Sequence, residues 1–433
     1  MESGCVKTLD EAMDWLGSLL KFGIKPGLER MEWMLEKLDH PERRLKSVHV
    51  AGTNGKGSTV EFLSQIMMEA GHEVGTFTSP HVLKAADRIA VNGEPIPDDV
   101  FLTLTNKLRP LAEELGETEY GQATEFEVMT MMAIVYFATV AYPDVVIFEA
   151  GLGGRLDSTN VIHPMVCIIT NISEDHTDVL GDTIADIARE KAGIIKSGVP
   201  VVTAAEGEAL SIIEKRAKEK LTKTYRLGHE FHVFNEQSSA DGERFDFQSP
   251  FSKKESLCIS MKGKHQVQNA SLALMSLDYL YSFFGLNVEF EHIQKGLKKA
   301  KLKLRFEEVM EKPKLILDGA HNQEAIAKLT EMILDRFPNA HIHIIFAALE
   351  TKNVKTMISS LEKVADEMTF TSFSHKKAHR PEKLQLFSTM EATRTIDDPK
   401  EAIDQAIASS DENTVIIVTG SLYFISEIHN SIL

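Results

Sequence analysis

"HVAGTNGKGST", residues 49–59, decides how this chain is read. A phosphate loop commonly runs G-x-x-x-x-G-K-[ST], with a hydroxyl directly after the lysine. Here Gly57 follows Lys56, and Ser58 and Thr59 come one position late. The delay removes nothing that such a loop needs. Backbone N–H groups must converge on phosphate oxygens, a lysine must reach the outer phosphates, and a hydroxyl must meet Mg2+. Gly52, Gly55 and Gly57 allow close backbone approach, Lys56 brings the charge, and Ser58 offers the oxygen. Thr53, Asn54 and Thr59 complete the candidate ATP loop. "SVHVAG" (47–52) reads as the strand entering it, and 58–70 as the helix leaving it, the setting the motif requires. The competing reading is a glycine-rich turn that holds no ligand.

Outward from the loop, β-rich runs alternate with helical ones. "HEVGTFTS" (72–79), "DVVIFEAG" (144–151), "MVCIITNIS" (165–173) and "VPVVTA" (199–204) read as strands. Helical patterns fall at 8–20, 27–39, 98–115, 125–142 and 183–197. Such alternation predicts right-handed βαβ units and a mostly parallel sheet. From 225 to 262 short alternating runs predict an antiparallel patch, followed by a strong helix that closes at Gly285. The basic segment "KGLKKAKLKLR" (295–305) reads as a domain junction, and beyond it the alternation restarts. The expected fold is α/β. Residues 1–297 form a P-loop parallel-sheet ATPase domain with a small antiparallel patch, and 298–433 a smaller Rossmann-like C-terminal α/β domain.

A length of 433 residues suits two or three domains. The formal charge of -17 argues against nucleic acid or anionic membrane as partner. Any polyanionic substrate must then be met by local cations or metal ions. Cys5, Cys167 and Cys258 are too scattered for a metal site or disulfide framework. The opening "MESGCVKTLDEAMDWLGSLL" lacks a signal-peptide core. "VMTMMAIVYFATVAY" (128–142) is shorter than the roughly 20 residues that span a bilayer, so it reads as a buried helix. A cytoplasmic location is expected.

"TNGKGS" (53–58) resembles the nucleotide loop of the Mur ligase superfamily, in particular its folylpolyglutamate/dihydrofolate synthase branch. "FTSPH" (77–81), "EAGLGGRLDSTN" (149–160), "ITNISEDHTDVLG" (169–181), "IAREKAGIIK" (187–196), "KHQVQNA" (264–270), "LDGAHN" (317–322) and "TGSLYF" (419–424) follow in order, and each is similar to a signature of that branch. One alone would be weak; seven in order are specific.

The resemblance implies an ATP-dependent ligase that adds L-glutamate to a folate or to dihydropteroate through an acyl phosphate. It implies two Mg2+ ions. Glu149, with Ser58 and Ser79, would hold one, although a strand-end Glu equally well caps a helix. His176 would bind the second, where a lone histidine in "SEDHTD" is ordinarily a surface or capping residue. Lys191 would carry a CO2-derived carbamate, which demands a neutral amine; otherwise it is a plain helix lysine pairing with Glu190 or Asp186. Asn269 would face adenine, Arg305 the phosphates and Asp318 the ribose, with helix capping as the rival role for Asp318. His321 is implicated in activity without a derivable role. Lys352 and Ser421 would meet the incoming glutamate, unless both are simply surface residues. The family is usually monomeric.

Three stretches depart from the branch's pattern: "SPHVLKAADRI" (79–89), with Asp87 in place of a glutamate; "KAKLKLRFEEV" (299–309), without a P-G before the arginine; and "HKKAHRP" (375–381). The first falls in the expected pterin loop and bears on the acceptor more than on the ATP chemistry. The rivals are a Mur-type ligase with a non-folate carboxylate acceptor, a nucleotide-binding regulatory module without chemistry, and a P-loop kinase or hydrolase.

Overall fold

The computed structural model describes residues 5–80, 85–239 and 241–432. They form two compact units, one of Met1–Ser173 with Thr177–Lys301, the other of Glu174–His176 with Leu302–Leu433. Residues 81–84 of the expected pterin loop, including His81, lie outside the described residues.

In the first unit eight strands form one sheet: β1 (Ser47–Ala51), β2 (Val74–Phe77), β3 (Ile89–Val91), β4 (Glu94–Pro95), β5 (Val145–Glu149), β6 (Val166–Ile169), β7 (Val201–Thr203) and β8 (Thr224–Arg226). Their order is β4-β3-β2-β5-β1-β6-β7-β8. From β2 to β8 all pairs are parallel, with β3 and β4 antiparallel at one edge. β1, β5 and β6 are buried at every position, which is why they read as unbroken apolar runs rather than alternating ones. β1 sits between β5 and β6, and its register sets Val50 beside Glu149. The phosphate loop and Glu149 therefore leave the same carboxyl edge, where ligands bind in such sheets.

The apolar stretch 128–142 is a buried helix as expected. Glu125–Tyr136 is α-helical, and Phe137–Ala141 continues it as a π-turn. Thr124 and Glu127 make a reciprocal capping box at its start. Glu127 is buried and also takes Arg30 Nε at 2.8 Å. Phe77 packs on Phe126 and Phe148, centroids 5.7 and 6.0 Å apart, tying this helix to β2 and β5.

The expected antiparallel patch is a three-stranded sheet: β9 (His232–Ser239), β10 (Gly242–Gln248) and β11 (Lys253–Ile259), in the order β11-β10-β9. Its predicted start was too early, because Thr224–Arg226 pairs parallel with β7 as the edge of the large sheet. The long helix Lys264–Phe284 ends at Gly285, φ 67°, the left-handed residue that a helix terminus favours. The basic run at 295–305 is only partly a junction. Phe290–Lys299 is a helix whose Ile293, Gly296 and Leu297 are buried. Gly296 matters here: a Cβ on it would stand 2.5 Å from Ile66 Cα in the helix Lys56–Glu69. The lysines hid the apolar stripe that packs there.

The second unit has six strands: β12 (Glu307–Glu311), β13 (Lys314–Asp318), β14 (His341–Phe346), β15 (Glu367–Phe370), β16 (Thr393–Thr395) and β17 (Thr414–Thr419), in the order β12-β13-β17-β14-β15-β16. All pair in parallel except β12 with β13. This is the expected doubly wound unit. Where the sequence reads as one helix between β15 and β17, the chain forms Pro381–Gln385, β16 and Pro399–Ser409. β16 is three residues long and only half-buried, so it leaves no periodic signal. Among the described residues no helix is long and apolar enough to cross a membrane.

Candidate functional site

Backbone geometry builds the loop after β1. Gly55 caps the helix Lys56–Glu69 at φ 82°, and a Cβ there would meet Asn269 Oδ1 at 2.2 Å. Gly52, at φ 148°, would likewise drive a Cβ into Thr170 Oγ1. Both positions need glycine, for conformation and for space. The loop is pinned to the segment after β6. Thr53 N donates to Asn171 O at 2.9 Å and Asn54 N to Asn171 Oδ1 at 2.8 Å. Thr170 Oγ1 donates to Asn54 O at 2.6 Å, and Thr53 Oγ1 to Ser173 O at 3.1 Å.

Two lysines converge on this loop. Lys56 Nζ donates to the carbonyls of Gly52 and Thr53 at 3.0 and 3.1 Å. Lys191, only 4% exposed on the helix Ile184–Ala192, donates to the same Gly52 carbonyl at 2.9 Å. Ser58 and Thr59 are buried in the first turn, with Thr59 Oγ1 on Gly55 O at 2.9 Å. Gly57 shares that turn. Asn269 is buried in the helix Lys264–Phe284 and donates to Gln266 Oε1 at 3.0 Å. Buried Glu149 accepts the N–H of Ser79 at 3.3 Å. Lys56, Ser58, Lys191 and Asn269 thus gather at the phosphate loop, and Ser79 and Glu149 pair at the next strand end.

The second unit assembles the other candidates around charges. Asp318 ends β13, with its oxygens accepting Phe306 N and Ala320 N, both at 2.9 Å. Burial raises its pKa, while the nearby Arg305 guanidinium and those N–H groups pull it back. Arg305 lies over Gly319, where a Cβ would stand 2.2 Å from Nη1. Asp318 is not the helix cap: Asn322 caps Gln323–Arg336, its Oδ1 taking Ala325 N at 2.9 Å.

Asp175 is the hub of this unit. It accepts hydrogen bonds from Lys352 Nζ, Asn322 Nδ2 (3.1 Å) and the N–H of His176 (2.9 Å). His321 Nε2 stands 3.6 Å away, while its Nδ1 donates to Gly319 O at 2.8 Å. Burial opposes ionisation of Asp175. The close approach of His321 and the charges of Lys352, His321 and His176 outweigh it, holding the carboxyl well below the usual range. Lys352 is therefore no plain surface residue; it is nearly buried against Asp175. His176 has a left-handed backbone, φ 51°, and a half-exposed ring. Ser421 is buried just before the helix Leu422–Ile432, after Gly420 at φ 116°.

Asp175 and Asn322 were missed by sequence reasoning, although each adjoins a residue it singled out. Asp157 in "LDSTN" was missed too; it is buried and binds the backbone N–H of Leu152 and Thr159. No periodicity or spacing marks these three. Among the described residues no cluster of three or more His, Cys, Asp or Glu is placed to hold a metal alone.

Residues 50–277 match the Mur ligase middle domain, and residues 304–422 the Mur ligase, glutamate ligase domain. Over 419 residues the chain is 43% identical to the dihydrofolate synthase/folylpolyglutamate synthase of Bacillus subtilis (strain 168), covering 96% of this chain and 97% of that one. Its fold is similar to Mycobacterium tuberculosis folylpolyglutamate synthase complexed with ADP and AMPPCP, with a TM-score of 0.90 and 28% identity over 98% of each chain. It is also similar to E. coli FolC in complex with DHPP and ADP, with a TM-score of 0.88 and 29% identity over 99% of this chain and 98% of that one.

Proposed function

The chain belongs to the Mur ligase family, in its dihydrofolate synthase/folylpolyglutamate synthase branch, and on that premise we propose that it uses ATP to join L-glutamate to a folate, with dihydropteroate as a second acceptor. The observation that carries the reading is the register of β1 and β5. It sets a glycine loop, with Lys56 and Lys191 on one carbonyl, beside the buried carboxylate of Glu149.

Backbone N–H groups of residues 55–58 and the Lys56 ammonium bind the ATP phosphates, while those of Thr53 and Asn54 hold the loop to Asn171. Asn269 faces adenine, Arg305 the phosphates and Asp318 the ribose. Ser58, Ser79 and Glu149 offer oxygen donors with one carboxylate. That set fits magnesium, which takes few protein carboxylates and completes its shell with phosphate oxygens and water. The family resemblance assigns His176 and a carbamate on Lys191 to a second ion. When bound, the two ions neutralise charge that builds on the transferred phosphoryl group.

The protein's own task is positioning. The acceptor carboxylate attacks the γ-phosphorus, giving an acyl phosphate and ADP. The amino group of glutamate attacks the acyl carbon, loses a proton, and phosphate leaves as the amide forms. Lys352 and Ser421 hold the incoming glutamate. For Lys352 this means exchanging or sharing its bond to Asp175, with His321 steadying that carboxylate. The enzyme would work as a cytoplasmic monomer on small molecules; the formal charge of -17 supports the absence of nucleic acid and anionic membrane as partners.

An acceptor panel tests the proposal. ADP release by the purified protein is followed with a folate, dihydropteroate or a UDP-sugar peptide, each with and without glutamate. Release should need glutamate and a pterin-bearing acceptor. ADP formed equally without glutamate would place the protein outside the ligases.

A further inference from the structure

Behind the phosphate loop runs a buried polar chain that the reaction above leaves unused. His49 lies in mid-β1, fully buried, three residues before Gly52. Its Nε2 is 2.8 Å from Thr159 Oγ1, which is 2.5 Å from Asp157 Oδ1. Asp157 also accepts the N–H of Leu152 at 2.7 Å and of Thr159 at 3.0 Å; burial raises its pKa, and the Thr159 hydroxyl and these N–H groups pull it back.

A carboxylate that receives two backbone N–H groups serves as an acceptor, and a threonine hydroxyl has one hydrogen to give. That hydrogen goes to Asp157, so the hydroxyl oxygen must receive from His49. The imidazole is thereby fixed as the Nε2–H tautomer. Its Nδ1 is left as a buried acceptor with no partner among the described residues. Burial, helped by the charge of Lys196, lowers the ring's pKa to about 3, so it stays neutral. An orphaned buried nitrogen is costly, and an apolar residue would avoid it. What the imidazole adds in return is the hydrogen bond it donates.

The segment anchored by Asp157 follows Glu149 directly. Gly151 lies against the Phe126 ring, where a Cβ would stand 2.5 Å from Cζ. Gly154 packs on the carbonyls of Glu190 and Lys191, which a Cβ would approach to 2.9 and 3.1 Å. A shift of residues 151–157 would thus reach both Glu149 and Lys191.

We propose that His49 is a positioning residue: its Nε2–H commits the Thr159 hydroxyl to Asp157, and Asp157 then holds residues 151–157 in place behind Glu149. The kinetic part of this proposal rests on the ligase reading; the tautomer does not.

The test joins 15N NMR of histidine-labelled wild-type protein to steady-state kinetics. At pH 7 the His49 ring should show a protonated Nε2 and a bare Nδ1. His49→Gln, whose amide can still donate to Thr159, should keep kcat within about twofold. His49→Phe and Thr159→Val should each lower kcat on the order of tenfold, the loss of one buried hydrogen bond, with the KM for ATP unchanged. The double variant should fall no further than either single one, because the two groups act in series. An Nδ1–H tautomer, equal losses in the Gln and Phe variants, or additive losses in the double variant would each overturn the proposal. If His49→Phe does not fold, the tautomer and His49→Gln decide. If the wild type lacks ligase activity, the reading above fails, while the tautomer still judges the hydrogen-bond chain.

Discussion

The phosphate loop and the Asp175 cluster join residues far apart in the chain, and they do so by opposite means. The loop is made of backbone: glycines at φ 82° and 148°, amides bonded to the segment after β6, and two lysines on one carbonyl. The cluster is made of side-chain charge, with one buried carboxylate serving Lys352, Asn322, His321 and the His176 amide. Backbone geometry survives changes of charge but tolerates no added atom. A charge hub tolerates changes of shape better than the loss of a partner.

The largest effect should come at the loop's chemistry. Lys56→Ala removes the cation aimed at phosphate, and the ligase rate should fall by on the order of 10²- to 10³-fold. Because Nζ otherwise holds only two loop carbonyls, the thermal midpoint should barely move. Activity within tenfold of wild type would mean that the loop is not the phosphate site.

Next comes the hub. Asp175→Asn leaves Lys352 nearly buried without its counter-charge, and the second unit should lose about 3 kcal/mol in urea unfolding. Adding Lys352→Met should restore part of that, since the stranded charge is gone. Equal loss in the single and double variants would show that the ion pair is not what holds the cluster.

Gly55→Ala then probes the loop's shape. It combines a left-handed φ with a Cβ only 2.2 Å from Asn269 Oδ1, so it should cost roughly 2–3 kcal/mol. Gly285→Ala has a similar φ of 67° but open space around it and should cost about 1 kcal/mol. Matching losses would remove the steric half of the argument.

Set apart from these substitutions is the response to pH. Burial holds His49 at a pKa of about 3 and, with the charges of Arg394 and His341, His343 at about 4. Both lie below the unfolded value of 6.5, so the unfolded chain binds the extra protons. Their stabilising contribution is full above pH 6.5 and declines as pH falls toward 4, with a slope approaching about 1.4 kcal/mol per pH unit for each histidine. Asp175, depressed rather than raised, keeps its full contribution throughout this window and loses it only in stronger acid. His343→Phe should flatten the slope measured by urea titration; an unchanged slope would remove that histidine from the account.

The same contrast explains what the sequence made legible. The loop is local: strand, glycines, lysine and helix follow one another within a few residues, so motif and fold could be read together. The central strands announced themselves because burial on both faces makes them continuously apolar. The hub could not be read this way. Asp175 sits in an acidic turn beside the more conspicuous His176, and its partners Asn322 and Lys352 lie more than 140 residues away. The helix Phe290–Lys299 was hidden behind its lysines, and β16 is too short to have a period. Asp157 and His49 gave no signal, because buried polar chains depend on which strands become neighbours.

The central claim is that the acceptor carboxylate is activated as an acyl phosphate before glutamate displaces the phosphate. Its most direct test supplies a folate acceptor labelled with 18O in the reacting carboxyl group and measures the inorganic phosphate by mass spectrometry. The account requires one 18O atom in each phosphate released, with one ADP and one amide formed per turnover. Unlabelled phosphate alongside amide formation would contradict it.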